Sequence, residues 1–340
     1  MGGPGTTYRG SGHARRGVVT LLSQQDVGHR VVVRRTAGRR GDRPLFTDVL
    51  GELTSVTATE LTVATDSGPV TIARAAVVAG KRIPPRRAGR REVAALEHAA
   101  NEAWPAPVQE RLGDWVLRAA EGWSRRANSV LPVGDPGLPL AAAVDEVTRW
   151  YRARGLPPAA NVPLPLAARV DAALAAHGWH RGATVLSQTV ALPVLRTAAP
   201  DAGRVTLRDG PDAAWLALTG AAHHRAAPQP PAVAYRVLTG DGRIPVRFAY
   251  RYDEDGELVA AGRGTVTGAG RWLGLARLAV APSARRRGLA RELIGALAGW
   301  AGESGATDAF LQVMDDNVAA LARYAGLGFT THHRYVSWRE

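Results

Sequence analysis

The amino-acid sequence predicts an α+β protein preceded by a small all-β barrel. Three observations carry this expectation. Short β-branched runs fill residues 14–87; beyond Arg91, strands alternate with amphipathic helices; and the order strand, loop, helix, glycine occurs twice.

The elements follow in chain order. Residues 1–13 have no apolar run, so they read as a disordered tail without a secretory signal. "GVVTLL", "HRVVVRR", "TDVLGELTSV", "ELTVAT" and "GPVTIARAAVV" are short strands punctuated by Gly, Asp and Ser. So many short strands within residues 14–83 suggest a closed barrel, because closure removes sheet edges. "GKRIPPRRAGRR" supplies two prolines and five arginines, and a linker is expected over 84–91. "REVAALEHAANEAW" then reads as a helix, and "GDWVLRAAEGWSRRANSVLP" as strands about a Glu-Gly turn. "PLAAAVDEVTRWYRARG" is a helix with Val144, Val147, Trp150 and Tyr151 on one side, and "VDAALAAHGWHR" is another, ending at Gly178. "ATVLSQTVAL" is a strand, and a second linker is expected over 197–203.

Residues 204–340 open with a strand and helix in "RVTLRDGPDAAWLALTGAAHH". "IPVRFAYRYDEDGELVAAGRGTVTG" is a hairpin about Asp-Gly, and "HHRAAPQPPAVAYRV" before it reads as a variable loop. "WLGLARLAV" and "DAFLQVM" are strands, "DNVAALARYAGLGF" is a helix, and "HHRYVSW" closes as a strand.

Lys and Arg number 43 against 30 Asp and Glu, a formal charge of +13, and Lys81 is the single lysine. Such a chain attracts polyanions, although a solvated arginine-rich surface explains the charge more simply, so dedicated nucleic-acid binding is the less favoured reading. With no cysteine, disulfides, thiolate metal sites and cysteine nucleophiles are excluded. No apolar run reaches membrane-spanning length, so a cytoplasmic protein without a membrane partner is expected.

The chemistry concentrates in "PSARRRGLARELIGALAGWA", residues 282–301. A strand ends at Val280, Pro282 turns the chain, and a helix begins near Gly288 with Leu289, Leu293, Ile294, Leu297 and Ala301 on its apolar face. The first turn of a helix leaves N–H groups unpaired at the positive end of the dipole, which favours an anion. Gly288 and Ala290 let a pyrophosphate approach the backbone, and Arg285, Arg286 and Arg287 can clamp its oxygens. A nucleic-acid patch explains the charge of the stretch; a phosphate cradle explains its spacing as well.

"LAVAPSARRRGLA" resembles the acetyl-CoA loop of the GNAT N-acetyltransferase superfamily, with Arg285, Gly288 and Ala290 at its defined positions. "DNVAALARYAGLGF" resembles that family's second motif through Asn317, Ala320, Tyr324, Gly328 and Phe329. The resemblance covers residues 204–340. It implies a catalytic GNAT domain there, with acetyl-CoA as cosubstrate and no metal. Leu278 and Val280 would serve the pantetheine arm, and the N–H groups of Arg286, Arg287, Gly288, Leu289 and Ala290 would hold the pyrophosphate. Asn317 would touch the pantetheine region, and Tyr324 would protonate the departing CoA thiolate. The family's strand glutamate is missing from "RWLGLARLAV"; His223, His224, Asp253, Glu254, His332, His333 or a water chain are the alternatives for the base.

By the same resemblance, residues 92–196 form a degenerate GNAT-like lobe without the arginine loop, walling the acceptor cleft. Its segment "EGWSRRANSVLP" offers Trp123, Arg126 and Asn128 to that cleft. The barrel at 14–83 resembles SH3-like modules, and its low aromatic content argues against a base-stacking platform. Two functions are consistent with this layout. One is N-acetyl transfer to a small-molecule amine or to a protein lysine or N-terminus, for example of a basic nucleoid or histone-like protein. The other is a CoA-sensing or nucleic-acid-tethered regulator with little turnover.

Overall fold

The computed structural model describes residues 22–65, 67–83, 88–200, 203–222 and 232–340. The expected tail, most of "GVVTLL", the prolines of the first linker, and His223 and His224 lie outside them. The chain forms two compact units, divided between Arg87 and Ala88.

The first unit is all β. Strands β1 (Arg30–Arg40), β2 (Arg43–Val56), β3 (Glu60–Thr65), β4 (Gly68–Ala73) and β5 (Val77–Arg82) pair antiparallel in the order β4-β3-β2-β1-β5. Alternation along β1 buries Val31 and Val33, which join Leu22, Leu53, Val63 and Ile72 in one core. Along β2, Gly51 lets β3 approach closely: a Cβ there would lie 2.0 Å from the carbonyl oxygen of Ala64.

The second unit holds α1 (Arg90–Ala103), β6 (Val108–Leu112), β7 (Trp115–Ala119), α2 (Leu140–Arg152), β8 (Ala159–Leu164), α3 (Ala168–Ala176), β9 (His180–Ala191) and α4 (Leu192–Ala198). It continues through β10 (Thr206–Arg208), α5 (Ala213–Ala222), α6 (Ala232–Thr239), β11 (Val246–Tyr252), β12 (Leu258–Thr267) and β13 (Trp272–Val280). It ends with α7 (Leu289–Glu303), β14 (Asp308–Met314), α8 (Val318–Ala325) and β15 (Thr330–Arg339).

One eight-stranded sheet runs through this unit in the order β10-β11-β12-β13-β14-β9-β15-β8. The order is woven: β9, from the earlier half of the unit, lies between β14 and β15, and β15 pairs with β8 on its far side. The sheet therefore runs unbroken across the sequence division at 197–203. Side chains alternate between faces, so β11 sends Ala249 to the core under α7 and Phe248 and Tyr250 to the core shared by α5 and α6. Helix α1 covers Trp272 and Phe310.

Several elements differ from the sequence expectation. The span 113–132 is one strand, β7, followed by a loop whose isolated bridges are Val116–Leu131 and Val130–Ala160. Helix α4 occupies the start of the second expected linker, because Pro193 suits a first helical turn and Leu192 and Leu195 are buried. The end of the expected loop 223–237 is helix α6, with Val233, Ala234 and Val237 buried. Strands β6 and β8 are additional.

Candidate active site

The site begins where two parallel strands part. Strands β13 and β14 pair from Trp272–Asp308 to Leu275–Leu311 and no further, while β13 stays bonded to β12 as far as Val280. Beyond Leu275 the β14 ladder stops, and the edge of Leu278–Val280 that faced it has no strand partner among the described residues. Peptide N–H and C=O groups on such an edge accept an extended chain. The β12–β13 ladder also slips between Ala261 and Arg263, opposite Arg277, whose φ is 56°. A bulge of this kind re-aims side chains, and here both Ala276 and Arg277 line one cavity.

Below the parted strands lies the loop before α7. Pro282 turns the chain and opens a single 3-10 turn that buries Ala284. Arg286 (φ 63°) and Gly288 (φ 81°) then take left-handed backbone, and Gly288 caps α7. A Cβ built on Gly288 meets nothing within 4 Å, so the space above the cap is open. A hollow of about 150 Å³ lies there, lined by Val280, Arg285, Arg286, Gly288, Leu289 and Ala290, with Arg323 of α8 added. Six of the expected residues are thus brought together. Arg287 does not line the hollow, and the Leu278 side chain packs into the core, in space left by Gly262.

Asn317 caps α8, its Oδ1 accepting from the N–H of Ala320 at 3.1 Å, which leaves its amide nitrogen for other contacts. Tyr324 is half-buried against the α7 core, its ring 5.8 Å from that of Phe329, and burial raises its phenol pKa. A raised phenol keeps its proton at neutral pH and can donate it. In the loop before α2, which the sequence pattern pairs with this one, protein carboxylates take the N–H groups: that of Asp135 donates to Asp114 at 2.8 Å, and that of Gly137 to Asp135 at 2.9 Å.

On the other face of the parted strands is a cavity of about 320 Å³, walled by Trp104, Trp123, Arg126, Arg263, Arg277 and Gln312 among others. Asn128 does not face it. It is buried and builds the loop that does: its Oδ1 accepts from Ala120 and Gly122, and its Nδ2 donates to the carbonyls of Trp123 and Ser124. Arg263 is buried, donating to the carbonyls of Leu238 and Ala103; burial and then the nearby charge of Arg126 lower its pKa to about 9, so it stays cationic at neutral pH. Sequence reasoning missed Trp104, Arg125, Arg263 and Arg277. The available signal was an arginine inside an otherwise apolar strand, as in "AGRGTVT" and "LGLARLAV".

Behind the cavity runs a buried polar chain. Gln312 donates to Ser187 at 3.3 Å, and Ser187 to Glu97 at 3.4 Å. His333 Nε2 lies 2.7 Å from Glu97, and its Nδ1 lies 2.9 Å from His332. Burial pushes the Glu97 carboxyl up, but His333, Arg126 and Arg118 together hold it below its ordinary value. Burial, then His333, lowers His332 to about 4. Of the other base candidates, Asp253 accepts N–H bonds from Asp255 and Glu257 within its own turn, and Glu254 is exposed. Among the described residues no cluster could hold a metal ion, and no helix is long and apolar enough to cross a membrane.

The family model described as "Probable histone acetyltransferase Rv0428c C-terminal" matches residues 91–337. The chain belongs to the Rv0428c family. A second model, "Rv0428c N-terminal Sm-like domain", matches residues 25–81, so the barrel expected as SH3-like is Sm-like. The chain is 34% identical to "Probable histone acetyltransferase Rv0428c" of Mycobacterium tuberculosis, over 93% of this chain and 97% of that protein. It is 29% identical to "Uncharacterized N-acetyltransferase YobR" of Bacillus subtilis, over 72% of this chain and 98% of that one. A solved GCN5-related N-acetyltransferase from Kribbella flavida shares the fold at TM-score 0.54 and 19% identity, covering 73% of this chain and 95% of that chain. This Rv0428c-family chain is a GNAT-type acetyltransferase.

Proposed function

We propose that the chain transfers an acetyl group from acetyl-CoA directly to a primary amine across the opening between β13 and β14. One observation supports this above the others: β13 lines both sites, the arginine-walled cavity through Gly274 to Arg277, where its pairing with β14 ends, and the Gly288 hollow through Val280 at its far end. The pyrophosphate lies at the N–H groups of Arg286 to Ala290, clamped by Arg285 and Arg323. The pantetheine arm runs along the free edge of β13 from Leu278 to Val280, with the Asn317 amide beside it.

The acceptor nitrogen attacks the thioester carbon, and backbone N–H groups at the bulge polarise the carbonyl. The C–S bond breaks as the C–N bond forms. Tyr324 gives its proton to the CoA thiolate, the amine proton leaves to water, and water returns a proton to the Tyr324 phenolate. The name of the M. tuberculosis relative raises a histone-like acceptor, which the chemistry of the cavity argues against below.

Tyr324→Phe tests the reading, and it separates an enzyme from a CoA sensor. We expect thiol release to fall about 100-fold or more with acetyl-CoA affinity unchanged. Unchanged release would remove Tyr324 as the acid. The chain has no cysteine, so it adds no thiol background.

A further inference from the structure

We infer that the cavity selects an amine whose molecule also carries an anionic group, a carboxylate or a phosphate, and rejects polycations such as polyamines and lysine-rich tails. The inference rests on the transfer reading above, since it takes the cavity as the acceptor site.

Three observations carry it. The cavity wall contains Arg125, Arg126, Arg263 and Arg277 and, among the described residues, no Asp or Glu. Four guanidinium groups around about 320 Å³ give a field that draws anions in and repels a second positive charge. The two tryptophan faces that could otherwise hold a substrate ammonium are already engaged by arginines. Trp104 and Trp123 stack at 5.8 Å, with Arg263 5.4 Å from the ring centre of Trp104 and Arg277 5.6 Å from that of Trp123. The arrangement is also built rather than incidental. A β-bulge turns Arg277 inward, two carbonyls fix Arg263, and Asn128 holds the loop bearing Trp123 and Arg126.

The Glu97 carboxylate is buried outside this lining and bonded to His333. Arg126 lowers the pKa values of both Arg118 and Arg263, as expected of like charges held close together. The size suits a small molecule with one amine and one anionic group.

The test measures thiol release by the full chain with acetyl-CoA and four acceptor pools: free L-amino acids, glucosamine 6-phosphate, spermidine, and a lysine-rich histone-tail peptide. The first two separate carboxylate from phosphate. We expect release with one of them. In Arg126→Gln the acceptor KM should rise about tenfold or more, with kcat and the acetyl-CoA KM little changed; Arg126→Lys should recover most of the loss. Preference for spermidine or the peptide would overturn the inference and leave the transfer reading standing.

If no pool supports release although acetyl-CoA binds, the transfer reading fails. The cavity is then judged without turnover, by calorimetry with N-acetyl-L-glutamate and N-acetylglucosamine 6-phosphate. Binding weakened about tenfold by Arg126→Gln would uphold the anion preference, and no binding of either probe would overturn it.

Discussion

Gly288 has left-handed backbone and open space where a side chain would stand. Two substitutions therefore separate strain from charge. Gly288→Ala meets no atom and should cost about 1 kcal/mol of stability through its positive φ, with acetyl-CoA still bound. Gly288→Glu adds a carboxylate where the pyrophosphate is proposed to lie and should reduce acetyl-CoA affinity about 100-fold at a similar melting temperature. Equal affinity in the two variants, measured by calorimetry, would count against the cradle. This loop was legible in the sequence because its requirements are local: a proline turn, a glycine cap, a small residue after it. Arg277 was not, because its direction comes from a register slip against β12, and a slip belongs to two strands at once.

At the scale of elements, α1 is tied to β15 by Glu97 and His333, with His332 alongside. Glu97 and His332 both have lowered folded values, so each takes its proton first in the unfolded chain, and acid favours unfolding. The His332 contribution is lost as pH falls from 6.5 toward about 4; that of Glu97 begins to be lost below 4.5. The melting temperature should hold between about pH 8 and 7 and decline below about 6.5. His332→Asn should flatten the upper part of that decline, which a pH series by calorimetry would show.

The loop from 120 to 128 depends on Asn128 in the same way. Asn128→Ala removes four hydrogen bonds and should cost about 2–4 kcal/mol and raise the acceptor KM. The long amphipathic helices were legible from their apolar periodicity. Strand β8 was hidden by the prolines around it; it is an edge strand whose ladder is with β15, where Pro163 needs no second partner.

At the scale of the molecule, the repeat in the sequence and the weave of the sheet lead to different divisions. Motifs divide at 197–203, but β9 and β15 each pair across that division. A fragment beginning at 204 would lose β8 and β9 and expose the edges of β14 and β15, so we expect it to be insoluble or inactive. A fragment of 88–340 keeps the whole sheet and should retain thiol release within about threefold of the full chain, since it forms a compact unit by itself. Loss of activity on removing the Sm-like barrel would instead give that barrel a part in the reaction. The weave was not legible, because periodicity assigns a strand its faces and says nothing of its neighbours.

The woven order also sets a schedule for biosynthesis. Strands β8 and β9 leave the ribosome more than 100 residues before β15, the strand that separates and pairs with them both. Until the last ten residues of the sheet are translated, each waits with an open edge. Emergence of β15, rather than of either half alone, is then the event that seals the sheet, and translation slowed or stopped before it should send this protein to chaperones or proteases.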